Sequence, residues 1–213
     1  MAKRNKKEIQ LTLPSSHAHG GARKGAGRPK TSTRVSHQSR PELKRHTPNH
    51  ITIKLEKGLP TLRSKEIFKL FRQAVAKARM RGLRIVHFAL LSNHLHLIIE
   101  TDHKVQLSCG MRSFSISLAK LINGRLERNG KVFFDRFHQH VLKTVAEVRN
   151  AISYVLSNRA RHLKLKDKFD VYSSISLVVN ESKDVVMLMR EKLRRLLESP
   201  RGFLLRQGAD VFT

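Results

Sequence analysis

Apolar and polar residues alternate along His50-Ile51-Thr52-Ile53-Lys54-Leu55, which predicts a β-strand that Gly58-Leu59-Pro60 brings to an end. From Ser64 to Met80 the period changes. Ile67, Leu70, Phe71, Val75 and Ala78 recur at helical spacing, with Ser64 and Glu66 as a start and Gly82 as a stop. Two β-branched-rich runs, Arg84–Leu91 and His94–Glu100, meet at Ser92-Asn93 and predict a hairpin. A second helix is expected over Val105–Arg128, with Asn123-Gly124 marking a bend or an end. After the Asn129-Gly130 turn, Lys131-Val132-Phe133-Phe134 opens a further strand that runs irregularly to Leu142. Thr144 and Glu147 form a capping box that starts a third helix, which runs to about Ala160.

Strand, helix, strand, strand, helix, strand, helix is the order of an α+β, ferredoxin-like or RRM-like sandwich. Such a fold is an antiparallel sheet with helices on one face. Its open face is where function usually sits. Residues 47–165 form this domain, and 166–213 read as a C-terminal helical extension. The extension has an apolar stretch at Ile175-Ser176-Leu177-Val178-Val179 and a basic helix over Lys183–Leu197, without recognisable chemistry.

Charge changes the picture. Forty-three Lys and Arg against 16 Asp and Glu leave a net charge of +27 in 213 residues, which calls for a polyanionic partner, nucleic acid first. The basic residues are spread along the chain instead of concentrated in one amphipathic helix, which disfavours a membrane surface. No apolar run reaches the ~20 residues of a membrane span. The single cysteine, Cys109, excludes an intrachain disulfide and a cysteine zinc site, so a reducing cytoplasm is expected, in association with the bacterial nucleoid. Residues 1–46 read as a disordered basic arm, too poor in apolar side chains to offset ordering. Within it, Arg23, Lys24, Arg28 and Lys30 flank a Gly-Arg-Pro core that resembles an AT-hook, a minor-groove binding element, with Ala26 where that motif carries another arginine. A generic basic linker holding phosphates would read the same way.

The candidate chemistry begins in the hairpin. On a strand, His94 and His96 project from one side while Leu95 and Leu97 face the other, so the two imidazoles form a pair of ligands for a divalent metal. Two exposed polar residues on an open sheet face would look identical. The third helix adds Tyr154 and Asn158, four apart and therefore on one helix face. A tyrosine hydroxyl can attack phosphorus, and an asparagine carbonyl oxygen can ligate a hard cation. If the helix crosses the open face, all four groups meet. Arg136, which follows Asp135, is the candidate phosphate contact, and His138, His140 and Lys143 lie close to it in sequence.

Ser92-Asn93-His94-Leu95-His96-Leu97, then Phe134-Asp135-Arg136-Phe137-His138, then Tyr154 and Asn158, together resemble the HUH single-tyrosine transposases, nearest the REP-associated tyrosine transposase group. The resemblance spans residues 46–163. It departs from the family at Arg159, where proline is frequent. It implies that His94, His96 and Asn158 hold Mg²⁺ or Mn²⁺, and that Tyr154 cleaves single-stranded DNA near a hairpin or palindrome, leaving a 5′-phosphotyrosine and a free 3′-hydroxyl. A monomer or homodimer is expected. The competing expectation is a non-catalytic DNA- or RNA-binding module, either RRM-like or a transposase-derived regulator. Aromatic content of 6% with no Trp disfavours the RRM mode of base stacking. A zinc-stabilised regulator lacks the further ligands of a closed site.

Overall fold

The computed structural model describes residues 39–163, 170–177 and 184–208, all within the unit Arg34–Thr213. The candidates Arg23, Lys24, Arg28 and Lys30 lie outside the described residues, as do Val178 and Val179 of the apolar stretch. The elements are β1 (Thr47–Lys54), α1 (Lys65–Arg79), β2 (Arg84–Leu90), β3 (His94–Thr101), α2 (Lys104–Arg125), β4 (His138–Val141), α3 (Val145–Leu163), α4 (Asp184–Leu196) and α5 (Phe203–Gly208). The four strands form one sheet in the order β2-β3-β1-β4, and every neighbouring pair is antiparallel. This is the split βαβ arrangement that the element order predicts.

Alternation along the strands separates two cores. Ile51, Ile53, Leu95, Leu97 and Ile99 face α1 and α2 and pack with Phe71, Phe88, Met111, Phe114 and Leu118. On the other side Val86, Ala89 and Ile98 meet Val148, Ala151, Ile152, Val155 and Leu156 of α3. The face left open by α1 and α2 is thus crossed by α3.

Three expectations shift. β1 begins at Thr47 because Thr47 and Pro48 continue the register opposite Thr101 and Glu100. Lys131–Phe134 forms no strand: it contributes one isolated bridge, Leu55 with Phe133, and pairing resumes only at His138. Residues 39–46, read as part of the arm, pack on the domain. Leu43 is buried, and the Arg40 guanidinium lies 3.6 Å from the centre of the Phe137 ring.

The C-terminal segment closes the sheet. Tyr172 O accepts from Leu90 N and Ser174 N donates to Phe88 O, so the segment lies along the outer edge of β2. Asp170 anchors it through a bidentate pair with Arg63, both bonds 2.8 Å. This covers an edge that would otherwise template pairing with another chain, and every β2 residue is buried. Leu193 of α4 and Leu197, just past its end, then join the first core, whereas Leu205 of α5 joins the second, beside α3.

His87 is a buried titratable group of β2, with Nδ1 3.2 Å from Ser174 Oγ. Burial alone pushes its imidazole from 6.5 down to about 4. A folded-state value below the unfolded one means that the stabilisation is complete above about pH 6.5 and is lost as pH falls toward 4, at up to about 3 kcal/mol. Urea titrations at pH 7 and near pH 4.5 are expected to show a smaller acid loss for His87→Gln than for the parent. Equal losses would remove His87 from the acid limb.

Candidate active site

α3 is started as its sequence dictates. Thr144 Oγ1 accepts from Glu147 N at 3.1 Å, and Glu147 Oε2 accepts from Lys143 N at 2.8 Å. Val148, Ile152 and Val155 pin one side of the helix to the sheet. That seating carries Tyr154 over the histidines: its ring lies 5.4 Å from the centroid of His96, edge-on, and 6.0 Å from that of His50. The rings of His94 and His96 are 4.9 Å apart and perpendicular. Tyr154 is 40% exposed.

Both histidines of the pair are held by their Nδ1 atoms. His94 Nδ1 lies 2.8 Å from Asn93 Oδ1, an acceptor that keeps the proton on that nitrogen. His96 Nδ1 lies 3.0 Å from Thr52 Oγ1 and 3.1 Å from His50 Nε2. A neutral imidazole with Nδ1 as donor carries its lone pair on Nε2. That tautomer is the ligand form, and the Nδ1 partners act as orienting groups. Burial, followed by the nearby His140 and His138, pushes His50 down to about 4, so His50 is neutral at physiological pH.

Asn158 lies one helical turn beyond Tyr154 and is 1% exposed. Its Oδ1 and Nδ2 are both buried without a hydrogen-bond partner. A buried amide in that condition costs about 1–3 kcal/mol. Two Nε2 lone pairs and one hard carbonyl oxygen suit a divalent cation such as Mg²⁺ or Mn²⁺. Among the described residues no group of three or more His, Cys, Asp or Glu is placed to hold a metal.

His50 and Thr52 escaped the sequence reading. They occupy the polar phase of β1, which was visible, but the pairing Thr52 to His96 was not. Arg136 does not join the cluster. It is exposed and lines a groove on the α2 side with Arg40, Ser108, Arg112 and Lys131. Asp135 Oδ1 accepts from the Arg136 backbone N–H, so the carboxylate organises the turn. His138 and His140 stand on the histidine face, paired with Thr52 and His50.

The molecule is therefore an antiparallel α+β sandwich whose open face sets two strand histidines beneath a tyrosine-bearing helix. No family model and no curated protein matches the sequence. Among solved structures, a REP-associated tyrosine transposase bound to a REP hairpin has a TM-score of 0.53 at 18% identity, over 79% of this chain and 92% of that one. The chain accordingly shares the fold of that structure. A candidate transposase from Deinococcus radiodurans R1 scores 0.39 at 11% identity, over 59% of this chain and 97% of that one. A bacterial tRNA(His) guanylyltransferase (Thg1)-like protein in complex with GTP scores 0.43 at 13%, over 62% and 72%. These two scores are too low to define a common fold.

Proposed function

We propose that the protein cleaves and rejoins single-stranded DNA at hairpin or palindromic sites, through a 5′-phosphotyrosine on Tyr154 and with a divalent metal. The observation that carries this reading is the seating of the Tyr154 ring on the His94–His96 pair, with the buried, unsatisfied Asn158 one turn away. The fold neighbour's REP hairpin supports the choice of substrate. His94, His96 and Asn158 would hold Mg²⁺ or Mn²⁺, which supplies charge neutralisation at the scissile phosphate. Tyr154 Oη attacks phosphorus, the bond to the 3′-oxygen breaks, and the phenolic proton ends on the departing 3′-hydroxyl. A 3′-hydroxyl of another strand attacks the phosphotyrosine in reverse and releases Tyr154, so the phosphodiester energy is conserved. This balance suits strand transfer, as in transposition, better than degradation. Arg23, Lys24, Arg28 and Lys30 are assigned to the DNA backbone, and Arg136 to a phosphate on the α2 side of the sheet.

Incubation with labelled single-stranded hairpins and Mn²⁺, followed by a denaturing gel, tests the reading. A slow covalent band that disappears with EDTA is expected. Tight binding across a hairpin library without any adduct would leave a non-catalytic DNA-binding protein.

Asn158→Ala separates a ligand from a packing residue. Mn²⁺ affinity, read from the electron paramagnetic resonance of the free ion, is expected to fall at least about tenfold. Stability in urea is expected to hold or rise, because an unsatisfied buried amide is removed. Unchanged Mn²⁺ affinity would take Asn158 out of the ligand set.

A further inference from the structure

A groove of about 640 Å³ opens where the turn preceding β1 faces the start of α3 and α5. Lys44, Arg45, Lys143, Arg201 and Arg206 line it, from three distant parts of the chain. Its one lining acid, Glu42, is engaged by Lys104. Phe203 stands among these cations with 65% of its surface exposed. Most phenylalanines of the domain pack against other side chains, so an aromatic left on a cationic rim calls for a partner.

The walls of the groove are fixed before anything binds. Glu100 is fully buried and accepts from both Arg201 N and Gly202 N. Gly202 sits so close to His46 O, at 2.8 Å from an ideal Cβ position, that no side chain fits there. His46 takes a left-handed φ of 57° and donates its N–H to Asp102 Oδ1, which locks the opposing turn.

The groove also runs on from the histidine face. Pro48 and Leu142 line it, each two residues from the paired His50 and His140, or about 7 Å along the strand. Cations tracking a backbone, joined by an exposed aromatic ring that every base can stack on, are the elements of single-strand recognition. We propose that this groove binds the single-stranded DNA flanking the cleavage point and stacks one unpaired base on Phe203. The choice of DNA rests on the function proposed above; the groove itself does not need the cleavage chemistry.

Binding is measured with full-length Tyr154→Phe protein, so that no adduct forms, by fluorescence anisotropy on a thymidine oligomer of about 20 nucleotides and on a duplex of equal length. Phe203→Ala is expected to weaken the single strand about tenfold and the duplex less than about twofold. Lys143→Gln with Arg206→Gln is expected to flatten the log K against log salt plot by about 0.7 per cation removed. Met187→Ala, an exposed apolar residue on α4, should change nothing. Equal loss on single strand and duplex, no loss with Phe203→Ala, or an unchanged salt slope overturns the proposal. A uridine oligomer bound more than about tenfold tighter than thymidine overturns the assignment to DNA. If these effects hold while the parent protein forms no adduct on any hairpin, the groove stands and the cleavage chemistry falls.

Discussion

Tyr154→Phe is expected to abolish covalent attachment to DNA and to lower strand cleavage on the order of 10⁴-fold, with DNA binding retained. The substitution deletes one oxygen. The ring keeps its edge-on contact with His96 at 5.4 Å and with His50 at 6.0 Å, so the seating of α3 does not change. What disappears is the hydroxyl that takes the phosphoryl group in the proposed reaction. The chain has a single other tyrosine, Tyr172, which packs against Phe68 at 5.7 Å beneath the Arg63 guanidinium. Tyr172→Phe is therefore the matched control and should form the adduct normally. An adduct that survives in Tyr154→Phe and is lost in Tyr172→Phe would mean that the site has been placed on the wrong face of the sheet.

The largest stability effect is expected at Glu100. Its carboxylate has no exposure, yet it bonds the Arg84 guanidinium at 3.1 Å as well as the Arg201 and Gly202 N–H groups. Removing one member of a buried pair leaves the other charge without compensation, at a cost of about 3–5 kcal/mol. Arg84 retains Glu198 at 3.2 Å, which places Glu100→Ala toward the lower end of that range. Urea unfolding monitored by far-ultraviolet circular dichroism checks the magnitude. Because the two backbone donors belong to the approach to α5, limited proteolysis should also begin near residue 201 in the variant. A loss below about 1 kcal/mol would mean that Arg84 and the tail rearrange to new partners.

The candidate site was partly legible because its chemistry follows local periods. Alternation in β3 put His94 and His96 on one side, and a four-residue step put Tyr154 and Asn158 on one helix face. His50 and Thr52 were hidden because strand register depends on pairing between segments more than 40 residues apart. Arg136 lies away from the histidine face for a related reason. Its neighbours in sequence, His138 and His140, do reach the histidine face, but the backbone turns at Asp135 and sends Arg136 to the α2 side.

Sequence alone therefore determined the order of elements, the split between core-facing and open-facing side chains, and the basic character that demands a polyanion. Each depends on residue type and a short repeat. Tertiary structure decided that α3 crosses the open face, that residues 170–177 cover the edge of β2, and that Lys44, Lys143 and Arg206 share one groove. These contacts join residues far apart in the chain, and their geometry comes from burying two apolar faces of one sheet at once, a constraint that no single stretch of sequence contains.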